Sequence, residues 1–288
     1  MRSLRAFVCL LICAAVPCLA SRTVTDELGR KVVVPDHPHR VICLMPNVTD
    51  AVFALGAADD VVAVSDYTKY PAEAMKKPSV GNLITPSIET IVALHPDLVI
   101  GMQPMGPMES TLQMERLGLP VFLVNPHGIA GILHTVDTIG QALNRPREAD
   151  ALRRQLQARI DAVRERTKGL PRPSVFVPVW SDPAVTVGKH AFITEIVEAA
   201  GGRSVTDDFA EDWPQISMEV LLARSPDALL LVRGGRVSLA MLEGRPGWSS
   251  LPAVQQHHIF YVDDWIYLSA PVAIDALEEL AKQFHPLS

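Results

Sequence analysis

Cysteine is close to missing from this chain. Four occur in 288 residues, and Cys9, Cys13 and Cys18 all fall within the first twenty. The fourth, Cys43, lies in the apolar run Val41-Ile42-Cys43-Leu44. It reads as a small buried hydrophobe rather than a reactive thiol. One cysteine beyond residue 20 excludes an internal disulfide. Lys and Arg are nowhere concentrated, which argues against a nucleic-acid partner. No second apolar run could cross a bilayer. Motifs of catalysis are also absent: no Gly-rich phosphate loop with its Lys, no Gly-x-Ser-x-Gly elbow, no His-x-x-x-His pair with a carboxylate. His127 and His134 are seven apart, His257 and His258 are adjacent, and His37 and His39 sit in a polar loop. None of these spacings suits zinc, and no metal site of the protein's own is expected. Ser, His and Asp are plentiful, so a two-lobed exported hydrolase stays as a rival reading.

What is present begins with an export segment. Arg2 and Arg5 precede an apolar stretch from Ala6 to Ala20, and Cys18-Leu19-Ala20 offers a small-residue cleavage site before Ser21. The stretch is 15 residues, short of the ~20 that span a bilayer. Pro17 directly before Cys18 argues against a lipid acceptor there. The segment holds two of the 26 basic residues and none of the 32 acidic ones, so removing it shifts the formal charge from −6 to −8. The expectation is a periplasmic protein of mildly acidic character.

The most informative feature is a repeat. Ser87 to Ile100 reads SIETIVALHPDLVI, and Ser217 to Leu230 reads SMEVLLARSPDALL, 130 residues later. Ser, Glu, Ala, Pro and Asp recur in register, and most other positions exchange one apolar residue for another. Each copy reads as a short helix, a Pro-Asp break and a buried strand. Two kindred lobes follow, each with a glutamate, Glu89 or Glu219, at one place on its surface. Matched acidic knobs suit a two-fold symmetric partner.

The rest of the chain fits that division. Residues 23–34 alternate around Leu28-Gly29-Arg30 as a hairpin. Arg40 to Met45 and Val61 to Val64 read as strands. Asn47-Val48-Thr49 offers caps for a helix over 51–55, and 110–124 continues the βαβ order of a parallel sheet flanked by helices. Residues 146–168 read as one amphipathic helix of about 33 Å. Its apolar positions are Ala149, Leu152, Leu156, Ile160 and Val163. A second lobe then restarts with a strand over Ser174 to Trp180, a helix over Ala191 to Ala200, the second repeat, Tyr261-Val262, and a closing helix over Ala270 to Phe284. The expected division is an N-terminal α/β lobe over 21–143, a backbone helix over 144–170 and a C-terminal α/β lobe over 171–288. A ligand cleft is expected between lobes, outside the strand carboxyl ends. The loops there hold Tyr67, Tyr70, Trp180, Phe209, Trp213, Trp265 and Tyr267, rigid walls for a large, flat, partly apolar ligand. Met102, Met105 and Met108 add soft lining, or a Cu(I) site as the other use of three thioethers.

These stretches resemble a known family: the periplasmic substrate-binding proteins of metal-chelate ABC importers, built with a helical backbone between lobes. The likeness rests on the opening hairpin Thr25-Asp26-Glu27-Leu28-Gly29-Arg30-Lys31-Val32-Val33-Val34-Pro35, on Pro38-His39-Arg40-Val41, and on the repeat. Ser65-Asp66-Tyr67-Thr68-Lys69-Tyr70-Pro71, Trp213-Pro214-Gln215-Ile216-Ser217-Met218-Glu219 and Asp264-Trp265 are similar to its corrinoid-binding branch. The resemblance implies that Tyr67 and Trp213 pack on a corrin, that Asp264 contacts the ligand's rim, and that Glu89 and Glu219 meet arginines on a permease dimer with its ATPase. It implies a cleft completed by Leu83, Met102, Trp180, Val185 and Trp265. The chain departs from that branch where Leu83, Met102 and Val185 replace aromatics and Leu268 replaces an arginine. The implied function is capture of cobalamin or a related corrinoid, carried as ligand rather than cofactor, by a protein that is monomeric when free and is not an enzyme. Haem, with Tyr67 or Tyr70 as an axial ligand, or a ferric siderophore, are the rival cargoes on the same fold.

Overall fold

The computed structural model describes residues 20–81, 85–103 and 108–286. The export segment up to Leu19, Leu83 and Met105 lie outside the described residues. The chain opens with β1 (Ser21–Thr25) and β2 (Lys31–Pro35), an antiparallel hairpin. The buried Asp26 carboxylate closes its turn by accepting from the Leu28 and Arg30 backbone N–H groups and from the Arg30 guanidinium. Next come β3 (Val41–Cys43), α1 (Pro46–Ala54), β4 (Val61–Val64), α2 (Ile88–Ala93), β5 (Leu98–Met102), α3 (Glu109–Arg116), β6 (Val121–Val124), α4 (Gly128–Ala142) and α5 (Pro146–Thr167). The second half holds β7 (Ser174–Phe176), β8 (Trp180–Ser181), β9 (Ala184–Val185), α6 (Phe192–Ala199), β10 (Arg203–Ser204), α7 (Met218–Arg224), β11 (Ala228–Val232), α8 (Leu239–Glu243), α9 (Pro252–Gln255), β12 (Ile259–Val262) and α10 (Ala273–Phe284).

Each lobe has one four-stranded parallel sheet. The first is ordered β4-β3-β5-β6 and the second β10-β7-β11-β12. Taken in chain order within each lobe, the two arrangements are the same, so the repeat extends from sequence to topology. Both sheets are buried on two faces, which is why their strands are near-continuous apolar runs. In the first, Ile42, Val99 and Val121 pack outward with Ile91 of α2 and Met114 of α3. Val41, Cys43, Ile100 and Phe122 alternate to the inner side. Burial pushes the Cys43 thiol pKa up to about 12, so it stays protonated and unreactive. In the second sheet, Leu229 and Leu231 pack outward with Leu221, Leu242 and Trp248.

The long helix that joins the lobes is packed along the inner side. One apolar cluster runs without a break from Val41 and Ile100, through Ile132 and Ile139 of α4, Leu156 and Ile160 of α5, Ile196 of α6 and Leu277 of α10, to Val175 and Val262. The long helix is one member of a shared helical layer. Arg159 on α5 ties it to α10 through Asp275 at 2.6 Å and Glu278 at 2.9 Å. Glu195 of α6 accepts from Ile129 N at the start of α4. A layer this continuous resists large relative motion of the lobes. Helix α4 was hidden in the sequence by the glycines at 128, 131 and 140. Two other expectations also change. Helix α1 starts at Pro46, and Asn47, Val48 and Thr49 lie in its first turn rather than before it, with no side-chain cap. The strand over Ser174 to Trp180 stops at Phe176, and Trp180 belongs instead to the small β8–β9 hairpin.

The repeat has a mechanical basis. Ser87 and Ser217 cap α2 and α7 by accepting from Thr90 N and Val220 N, each at 3.3 Å. Both helices end at a non-glycine residue in the left-handed region, His95 at φ 46° and Ser225 at φ 40°. The aspartates then clamp the neighbouring strand. Asp97 accepts from His39 N and Arg40 N at 2.8 and 3.0 Å, just before β3. Asp227 accepts from Ser174 N and Oγ, both at 2.7 Å, at the start of β7. Asp97→Ala or Asp227→Ala should each cost about 1–3 kcal/mol of stability in denaturant unfolding. Unchanged midpoints would contradict the clamp.

Candidate ligand cleft and docking face

The loops leaving the strand carboxyl ends meet between the lobes. From the first lobe, the segment after β4 carries Tyr67, Lys69 and Tyr70. From the second, the short helical turn Asp264–Tyr267 follows β12. They touch in two places. Lys69 Nζ lies 2.8 Å from Asp264 Oδ2, and the rings of Tyr70 and Trp265 are 5.7 Å apart and tilted. Deeper in, α1 of the first lobe reaches the second through Asp50, whose Oδ2 accepts from Val272 N at 2.8 Å.

Three of the expected second-lobe residues are brought together by backbone pairing. Hairpin β8–β9 pairs Trp180 with Val185, and Val185 bridges to Gln215. Thr186 N donates to Pro214 O. Trp180, Val185 and Trp213 therefore share one platform. Trp180 and Trp213 are 42% and 50% exposed, Tyr67 is 59% and Tyr267 is 42%. Large aromatic side chains left this open on the loops of both lobes are what a binding surface requires. Val185 and Met102 are half-buried. Met102 sits at the end of β5, where its sulfur accepts from Asn47 Nδ2 at 3.4 Å. Met108 packs instead with the outer core of the first lobe, so these two thioethers do not form a common soft-metal site. Among the described residues no group of three His, Cys, Asp or Glu side chains is placed to hold a metal.

Two assignments shift in emphasis. Trp265, expected as cleft lining, is half-buried against Tyr70 and the shared core. It is a contact between lobes before it is a wall. Asp264, expected at the ligand's rim, is paired with Lys69. Lys69 itself went unassigned in the sequence; its signal was a lone charge between two tyrosines. An open groove of about 500 Å³ lies elsewhere, between β2 and α3, lined by Val33, Leu112 and Leu119 among others. Of the expected cleft residues it contains only Met108, and it sits away from the strand carboxyl ends.

Asp50 carries the strongest electrostatic perturbation at the lobe junction. Burial pushes its carboxyl pKa up to about 7, against the opposing hydrogen bond from Val272, and the nearby negative Asp275 adds to the rise. The folded state then holds a proton that the unfolded chain has released between about pH 4 and 7. Stability contributed by that proton is full below the unfolded pKa and is lost as pH rises through 7. Wild type should therefore be more stable at pH 5 than at pH 8 by about 3 kcal/mol in denaturant unfolding. Asp50→Asn, which keeps an acceptor for Val272 N, should flatten that slope. An unaltered slope in the variant would assign it to other groups.

The two acidic knobs occupy matching places in the two lobes. Glu89 and Glu219 stand in the first turns of α2 and α7. Both are exposed, and neither has an ion pair among the described residues. Val92, Val220 and Leu222 on the same two helices are exposed as well, at 37%, 41% and 37%.

Against this geometry, the sequence profile described as periplasmic binding protein matches residues 41–265. The chain belongs to that family. The binding protein is 29% identical over 272 residues to an uncharacterized ABC transporter substrate-binding lipoprotein, YvrC, of Bacillus subtilis strain 168, covering 92% of this chain and 85% of that one. It is 29% identical over 244 residues to a vitamin B12-binding protein of Yersinia pestis strain Pestoides F, covering 85% of each. Among solved structures it is similar to the apo periplasmic heme-binding protein RhuT of Roseiflexus sp. RS-1. There the TM-score is 0.78 and the identity 28%, over 86% of this chain and 98% of that one. The family consists of solute-binding transport proteins, and this binding protein is one of them rather than an enzyme. Binding proteins of this kind work with the permease and ATPase of an ABC transporter.

Proposed function

We propose that this protein is exported, captures cobalamin or a related corrinoid between its lobes, and delivers it to an ABC importer. The observation that carries the reading is the placement of its aromatics. Among the described residues five Trp, Tyr or Phe side chains are exposed, and four of them, Tyr67, Trp180, Trp213 and Tyr267, stand in the segments that follow the sheet strands at their carboxyl ends. A flat macrocycle offers both faces to such rings. The similarity to vitamin B12-binding proteins over most of the chain supports the same cargo.

Haem is the second reading, supported by the likeness to a heme-binding protein. Two of the cleft tyrosines, Tyr70 and Tyr267, weigh against it. Burial raises the Tyr70 pKa, and the charges of Asp50 and Asp275 raise it further. Burial and the charge of Asp264 do the same at Tyr267. A phenolate ligand to ferric iron is disfavoured at both. The experiment is equilibrium dialysis against equal concentrations of cyanocobalamin, haemin and a ferric siderophore, read by absorbance. Retention of cyanocobalamin in preference to the others is expected; preferential retention of haemin would replace this reading with the second.

A further inference from the structure

The mouth of the cleft holds a positive site on an acidic protein. Lys69 comes from the first lobe. Arg236, on the loop after β11, comes from the second, and its guanidinium lies 5.1 Å from the centre of the Trp180 ring. Arg236 is exposed, and among the described residues it has neither a hydrogen bond nor an ion pair. Its charge reaches Tyr267, on the turn that also carries Asp264, and acts there against the charge of Asp264. Lys69, Arg236 and Asp264 together sum to one positive charge, on a chain whose formal charge is −6.

The one negative group in the cluster is loosely held. The side chains of Lys69 and Asp264 are 74% and 45% exposed, and ion pairs that open to water contribute little and weaken with salt. A ligand oxyanion arriving at the mouth can take the place of the Asp264 carboxylate on Lys69 at small cost. Arg236, over the Trp180 ring, offers a planar fork of donors to an oxyanion at the mouth.

We infer that Lys69 and Arg236 are specificity-determining residues that read an anionic arm, phosphate or carboxylate, on the periphery of the bound chelate, and that Asp264 stands in for that arm when the cleft is empty. This rests on the chelate-binding reading above and extends it. Cobalamin carries a phosphodiester in its nucleotide loop, cobinamide lacks that loop, and haem carries two carboxylates. The site therefore discriminates within one ligand class by charge, while the aromatic walls supply area without regard to charge.

The test is a set of fluorescence titrations of the full protein with cyanocobalamin, dicyanocobinamide and haemin. Lys69→Met and Arg236→Met should each weaken cyanocobalamin binding by roughly tenfold and leave dicyanocobinamide unchanged. Lys69→Arg should restore most of the loss. Asp264→Asn should tighten cyanocobalamin binding and increase its dependence on salt. Loss confined to haemin would assign the arm to carboxylate rather than phosphate and keep the inference. Equal losses on all three ligands would overturn it and make Lys69 a closure contact. Unchanged affinities in both methionine variants would overturn it as well, with the corrinoid reading intact. Wild type binding none of the three would instead remove the reading on which it rests. Both cations are exposed, so melting temperatures matching wild type serve as the folding control.

Discussion

Cells that depend on this protein for corrinoid should stop taking it up when Glu89 and Glu219 are both replaced by arginine, while the purified variant binds ligand as tightly as before. The two side chains sit at matching points of the repeat, exposed and unpaired among the described residues. Among the described residues neither side chain makes a hydrogen bond or an ion pair to the cleft loops, so ligand affinity should hold. At the rim of a docking surface, charge governs capture and orientation more than strength. Reversing both signs turns attraction by basic partners into repulsion. The single reversals should each reduce uptake partly, and high salt should weaken wild-type docking. Each glutamate also favours its helix through the N-terminal dipole, a contribution of about 0.3–1 kcal/mol, so a modest drop in melting temperature is expected. Lost ligand affinity in the double variant would show that these residues serve the cleft, and normal uptake would show that they serve neither.

Tyr67→Ala and Trp213→Ala should do the reverse, removing ligand affinity while leaving the fold intact. Trp213 is half exposed and Tyr67 more so, so little core packing is lost with either ring. Aromatic anchors at a binding site commonly carry 2 kcal/mol or more each, roughly a thirtyfold loss per residue. They stand on opposite lobes, and the double variant should lose about a thousandfold if the two contributions add. Isothermal titration checks this directly. Wild-type affinity in the Trp213 variant would move the ligand off the platform built by β8, β9 and the 213–215 segment.

Much of this was legible in the sequence because the repeat carries its own mechanics. Ser at the cap, Pro-Asp at the break and an apolar run afterwards specify a helix, a turn and a buried strand. The burial patterns of 91–100 and 221–230 differ at a single position, Asp97 against Asp227. The parallel sheets, the long helix and the cleft loops follow from such local signals. Helix α4 did not show itself, because Gly128, Gly131 and Gly140 lower helix propensity and its burial against α5 supplies what propensity withholds. Trp180 was assigned to a strand that ends four residues earlier, since an apolar run does not reveal where a ladder stops. The continuous inner core, the Asp50–Val272 bond and the Lys69–Asp264 pair join residues about two hundred positions apart. No local pattern reports such distances. Leu83 falls outside the described residues, and its place in the cleft stays a proposal alongside those of Met102 and Val185.

The most direct measurement is a calorimetric titration of the exported protein with cyanocobalamin at several temperatures. The account predicts a single saturating event with one ligand per chain and a negative heat-capacity change, as apolar ring faces leave water between the lobes. Absence of heat and of any tryptophan quenching with corrinoids, alongside saturable binding of haemin by the same sample, would contradict it.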